Sequence, residues 1–304
     1  MKVVLAYAVC VVVWGTTWFA IRVCIGDGAY PTIPAAALRF TIAAMILVPI
    51  GLAGWARPGP TRRSQWWWLV LAGVLNALGY ALVYAGEEHV SGGLAAVLYV
   101  IQPLIVALLV TVTRTEAVAR AQIVAALIAL AGVALIYWDR LEVSPDQAYG
   151  VGLVLGAVLV SSFYALIVKR ETRDVHPLAS AAVFLGVTAV AMWILVLVRG
   201  WQPLPWPPPA VPSLALLYLG VCGSVLAFAC YFYLLKRLSL MATTSMVFLV
   251  PLIALGVDAL WEDEVALTGR TYAGVAVTMA GVLVGFTRRA RPTRRRAASV
   301  DDPG

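Results

Sequence analysis

Charge is what this 304-residue chain has little of. Asp, Glu, Lys and Arg together make up 12% of it, about half the share of an ordinary soluble domain, which excludes a solvated globular fold. Histidine occurs only at His89 and His176, one on each expected side of a membrane, so no Ser-His-Asp arrangement can assemble in one compartment. No Gly-rich phosphate loop is present either, and an enzyme is not expected. Cys10, Cys24, Cys222 and Cys230 lie in or at the ends of apolar runs without metal-ligand spacing. They suit small apolar helix positions rather than a zinc site or disulfide. No cofactor is implied, and no ATP-binding module or long soluble segment is seen.

What is there is apolar. Hydrophobic residues make up 62% and mean hydropathy is +0.91, carried by runs of about 20 residues that can cross about 30 Å of hydrocarbon as helices. Ten spans are expected, at about 3–22, 33–53, 66–86, 91–112, 120–138, 149–168, 177–198, 212–235, 241–261 and 270–287. The first run is followed by Arg22 without a small-residue cleavage site, so it reads as a span and not a signal peptide. Trp66, Trp67 and Trp68 beside Arg62 and Arg63 read as an interfacial anchor, as do Tyr137 and Trp138. Residues 202–212 are a Pro-rich, stiff connection.

The formal net charge of +7 does not point to nucleic acid, because the charges sit in short loops and a tail. With ten spans, 17 of the 22 basic residues fall on the side of the termini, and Asp27, Glu87, Glu88, Asp139, Glu142, Asp146, Glu262, Asp263 and Glu264 fall opposite. The positive-inside rule then makes both termini cytoplasmic, in a bacterial inner membrane. The basic tail 288–304 is expected to be disordered and to lie on the anionic leaflet.

The chain repeats itself. Pro103 and Pro251 each open a PLI triplet, Glu116 and Glu264 each follow thirteen residues later, and AGV triplets follow at 131–133 and 280–282. The offset of 148 or 149 residues is about half the chain. This predicts an all-α integral membrane protein with ten transmembrane helices in two five-helix repeats, 1–144 and 145–287. Five is odd, so the second repeat enters the membrane upside down. Inverted repeats suit alternating access, in which a central site opens to either face.

These residues resemble the drug/metabolite transporter superfamily, in its ten-span exporters with two EamA-type repeats. Trp14-Gly15, Leu38-Arg39-Phe40, the stretch from Glu87 to Ala96 and the repeated Pro, Glu and AGV positions carry the resemblance. Arg114-Thr115 departs from the Leu-Gly usual before the glutamate, and Glu262 competes with Glu264 for the second position. The resemblance implies movement of small metabolites, often amino acids. Export is the leading reading. Uptake is the alternative within the class, and lipid handling without solute transport is the alternative outside it. A small-molecule substrate and the bilayer are the expected partners. The sequence sets no oligomeric state.

Helical spacing nominates the pathway. Asn76, Tyr80, Tyr84 and Glu87 form one stripe on span three, costly against lipid and so expected to face inward. It is either a substrate wall or a set of interhelical hydrogen bonds ending in an interfacial Glu. Tyr99 and Gln102, further pathway candidates, lead to Pro103, which should kink span four, as Pro251 should kink span nine near Ser245, another pathway candidate. The two prolines are gating hinges or packing kinks. Trp14 and Trp18, Tyr164, and Ser224 with Tyr231 supply polar-tipped aromatics and a hydroxyl for a pocket, or for helix packing. Arg39, about 9 Å deep at 1.5 Å per residue, should snorkel or pair with an outer carboxylate, Glu87 being the proposed partner. Glu116 and Glu264 are expected to be caps or gate latches at the starts of the helices that follow them. Proton coupling through Glu87 or Asp258 is left open.

Overall fold

In a chain of Ala, Leu, Val and Gly runs, only helices satisfy every backbone polar group inside a bilayer. The computed structural model follows that rule. It describes residues 1–53, 57–138, 144–261 and 269–287; Glu264 and the Asp258 side chain lie outside the described residues. Among the described residues there is no strand. The helices are α1 (Lys2–Ile25), α2 (Thr32–Leu52), α3 (Arg63–Gly86), α4 (Gly92–Tyr99), α5 (Gln102–Val112), α6 (Arg120–Tyr137), α7 (Pro145–Glu171) and α8 (Pro177–Arg199). They continue with α9 (Ala210–Gly220), a π-helical turn (Val221–Leu226), α10 (Ala227–Arg237), α11 (Leu240–Thr244), a 3₁₀ turn (Ser245–Phe248), α12 (Val250–Trp261) and α13 (Gly269–Thr287). Eight spans are long and apolar enough to cross a membrane, and α6 and α13 are shorter apolar helices. The ten expected segments are thus all helical. The largest boundary shift is at α7, which starts four residues early because Ser144 caps it and Pro145 suits its first position.

Spans four and nine are broken, not merely bent. α4 ends at Tyr99 and α5 begins at Gln102, and α12 begins at Val250 after the 3₁₀ turn. In both spans the proline, Pro103 or Pro251, is the second residue of the later helix. There its missing N–H costs nothing, while its ring prevents the earlier helix from running through.

α1 packs against α9, α10, α4 and α12. α3 packs on α7 and α8, and α2 packs on α8 and α9. Most of the apolar core belongs to this group. α6 and α13 pair with each other to one side, joined to spans four and nine by a smaller apolar cluster around Val100, Ala129, Val133 and Phe248. The AGV glycines explain that pairing. A Cβ on Gly132 would sit 2.4 Å from the Thr278 backbone nitrogen, and one on Gly281 would sit 2.6 Å from that of Ala129. The two backbones touch at both motif positions, as small residues allow between membrane helices.

Candidate functional site

The inward stripe on α3 follows from its spacing. Asn76 and Tyr84 are fully buried, whereas Leu71, Val74 and Leu78 on the other side are exposed. Where α3 meets α1, α2, spans four, six, eight and nine, large side chains hold the backbones apart. The space between them is a cavity of about 80 Å³ open to the centres of water molecules. Trp14 and Trp18 of α1, Arg39 of α2 and Tyr80 of α3 line it. Tyr99 and Gln102 from either side of the break in span four, Tyr164 of α7 and Tyr231 of α10 complete the predicted residues on its wall. Trp14 meets Tyr231 at 5.2 Å between ring centroids, and Trp18 meets Tyr99 at 5.3 Å. Gln102 donates to Ser161 Oγ (3.0 Å). Behind the wall, Phe184, Phe228 and Phe232 form an aromatic backing that fixes the lining rings.

Sequence spacing missed Thr17, Val83, Met246 and Val247 on the wall. Their apolar or small character gives no pattern distinct from ordinary core. The 3₁₀ turn before α12, which turns Met246 and Val247 inward, also has no sequence mark of its own.

Arg39 neither snorkels nor pairs with Glu87, which corrects the expectation for both. Its side chain is fully buried. Nε donates to Ser224 Oγ (2.9 Å), and Nη2 donates to the Gly223 carbonyl (3.3 Å) and reaches Tyr80 Oη (3.5 Å). The π-helical turn makes this possible, because it frees the Gly223 carbonyl, which also accepts from Trp14 Nε1 (3.4 Å). Gly223 itself leaves room, since a Cβ there would lie 3.2 Å from Arg39 Nη2. Such π turns recur at functional sites. The guanidinium also lies over the Tyr80 ring (4.7 Å) and near that of Phe40 (5.4 Å), contacts worth about 2 kcal/mol each when desolvated. Ser224 is therefore a support for Arg39 and not a member of the wall.

Other predicted residues fall elsewhere. Asn76 is away from the cavity and donates to Thr188 Oγ1 (3.1 Å), a bond between α3 and α8. Tyr84 is buried with no hydrogen-bond partner for its hydroxyl. Glu87 ends α3, buried, with neither carboxylate oxygen hydrogen-bonded. Burial pushes its carboxyl well above the usual carboxylate range, against the pull of Arg22 and Arg39. Ser245 bonds Tyr7 Oη (3.1 Å) and lines a separate cavity of about 330 Å³ beside α6, α11 and α13, as does Pro103.

Glu116 does not cap the helix that follows it. Both its carboxylate oxygens accept from the Leu240 backbone N–H (3.0 and 2.8 Å), the start of α11, and Lys169 Nζ lies 3.8 Å away. Lys169 in turn donates to the Leu235 and Leu238 carbonyls (2.5 Å each) at the end of α10. Lys236 donates to the Thr172 and Arg173 carbonyls at the end of α7. Each charge here meets a helix end of opposite partial charge, and the Glu116 contacts tie the two halves of the sequence together.

Comparison with known proteins gives the same picture over nearly the whole length. A probable terminal-alkyne amino-acid exporter of Streptantibioticus cattleyicolor is 30% identical, covering 98% of this chain and 97% of its own. The uncharacterized inner membrane transporter YedA of Escherichia coli K12 is 29% identical over 88% of each. A solved crystal structure, 20% identical, superposes with a TM-score of 0.74 over 95% of this chain and 99% of its own, a likeness of fold. The profile of the EamA-like transporter family matches twice in succession, at residues 1–138 and 148–287. A multi-pass helical bundle with a walled central cavity, matched in this way from end to end, is a small-molecule transporter and belongs to the EamA-like transporter family.

Proposed function

We propose that this chain is a secondary transporter that exports amino acids or related polar and aromatic metabolites across a bacterial inner membrane by alternating access. The observation that carries the reading is the central cavity, walled by aromatic and polar side chains from both halves of the sequence. Rings with polar tips hold a small organic solute by stacking and hydrogen bonding. The exporter among the relatives supports the substrate class and direction.

The helix contacts support the inverted repeat. α3 on α7 has its counterpart in α1 on α10, and α3 on α8 in α2 on α9. α5 on α7 is matched by α12 on α1, and α6–α13 is its own counterpart. Two halves related in this way exchange conformations about a shared centre. The Glu116 and Lys169 contacts then close one end, which the distribution of basic residues assigns to the cytoplasm. Glu87 is the group best suited to couple a proton, because a buried carboxyl without partners exists more cheaply neutral than charged.

Export from a bacterial host expressing the chain tests this reading. Release of a few amino acids or aromatic metabolites should rise above that of empty cells and fall in Tyr80→Ala and Tyr231→Ala at equal membrane expression. It should persist in Asn76→Ala. No release from a broad panel, with accumulation inside instead, would overturn export in favour of uptake.

A further inference from the structure

Among the described residues, the cavity wall carries one formal charge and no carboxylate. The charge is Arg39, fully buried, and no described acid forms an ion pair with it. Serine, carbonyl and phenol contacts occupy Nε and Nη2 and the Tyr84 hydroxyl lies nearby, but Nη1 has no partner at hydrogen-bond geometry. A second donor is in the same condition. Trp18 Nε1 is buried on the same wall and has no acceptor. A buried cation normally keeps a counter-ion, because desolvation costs several kcal/mol. Buried donors left without acceptors are rare for the same reason. Both unmet needs on this wall are for an acceptor, and one of them is for negative charge.

We propose that Arg39 is the carboxylate anchor of the transported solute. The acid group docks on Nη1, Trp18 Nε1 supplies a further donor on the wall, and the organic part lies among Trp14, Tyr99 and Tyr231. The proposal rests on the amino-acid reading above and sharpens it: the feature recognised is the acid group. The Ser224 hydroxyl and Gly223 carbonyl hold the guanidinium in place before the solute arrives, so little order is lost on binding. Because the solute's carboxylate is the missing counter-ion, the guanidinium is unpaired in the empty cavity and paired in the loaded one. Loading therefore lowers the electrostatic penalty of keeping Arg39 buried.

Binding to the purified full chain tests this, read as thermal shift and equilibrium affinity with three probe sets. These are free L-amino acids, the same amino acids as carboxamides, and 3-phenylpropionate, a carboxylate without an amine. Free acids should bind about 30-fold or more tighter than their amides. Arg39→Gln should abolish that preference, and Arg39→Lys should retain part of it. Amides binding as tightly as acids to the parent chain would overturn the anchor, and that result stands whether or not the variants fold. Failure of every carboxylate would overturn it as well. Binding of 3-phenylpropionate but of no amino acid would uphold the anchor while defeating the amino-acid reading.

Discussion

The α6–α13 seam and the central cavity are built from opposite materials. At the seam Gly132, Gly274 and Gly281 let two backbones touch, and every added atom meets main chain. At the cavity, large side chains from seven spans meet and leave donors without acceptors. The seam is specified by what is absent from its side chains, and its polar groups are satisfied within the helices. The cavity is specified by bulk and by incomplete pairing. Packing of the first kind resists change of shape, and packing of the second kind leaves room for a third party.

The sharpest way to break that contrast is at Gly132. Gly132→Leu should destabilise the protein by about 3 kcal/mol or more, since backbone cannot step aside for it, and thermal unfolding in detergent would read this. A variant that melts with the parent would show the seam to be loose. Asn76→Ala comes next. It should cost about 1–2 kcal/mol through the lost bond to Thr188, with transport per folded molecule unchanged. The reverse pattern would extend the cavity along the whole α3 stripe. Trp18→Phe keeps an aromatic side chain but removes an N–H that nothing accepts, together with one ring of the indole. Affinity for solute should fall about fivefold, with a small loss of stability from the smaller ring; unchanged affinity would show that the N–H does not meet the solute.

The smallest effect concerns neither region but the loop that carries Glu116. Arg114 closes a Schellman turn at the end of α5, with Thr115 N–H on the Val110 carbonyl and Arg114 N–H on that of Thr111. Its φ of 53° favours glycine, so Arg114→Gly should stabilise by about 1 kcal/mol. No gain on unfolding would show that the arginine side chain offsets the strain of its backbone.

Much of the fold was legible because hydropathy runs and lipid thickness share one length scale. The faces were legible too: the spacing of Tyr80, Tyr99, Tyr164 and Tyr231 marks inward sides, and the inward sides of several spans meet at one place. Partners were not legible. Ser224 lies 185 residues from Arg39 and Leu240 lies 124 from Glu116, and helical periodicity fixes a direction without naming what stands opposite. Arg39 and Glu87 have opposite charge and similar depth, yet charge and depth alone do not bring two side chains together. The hydroxyl and carbonyl that hold Arg39 come from a turn geometry that no proline announces. Asn76 stayed ambiguous for a related reason, since an amide needed by a neighbouring helix and one needed by a solute occupy the same face.

The π turn at Val221–Leu226 sets the phase of everything after it. An α-helix advances about 100° per residue, and the wide turn accommodates its extra residue without passing that rotation on. Were it wound into regular helix, α10 would turn by about that angle about its own axis. Tyr231 and Phe228 would swing away from Trp14 together, while Gly223 would withdraw its carbonyl from Arg39. One irregular turn thus keys the orientation of an entire wall to the seat of the buried charge.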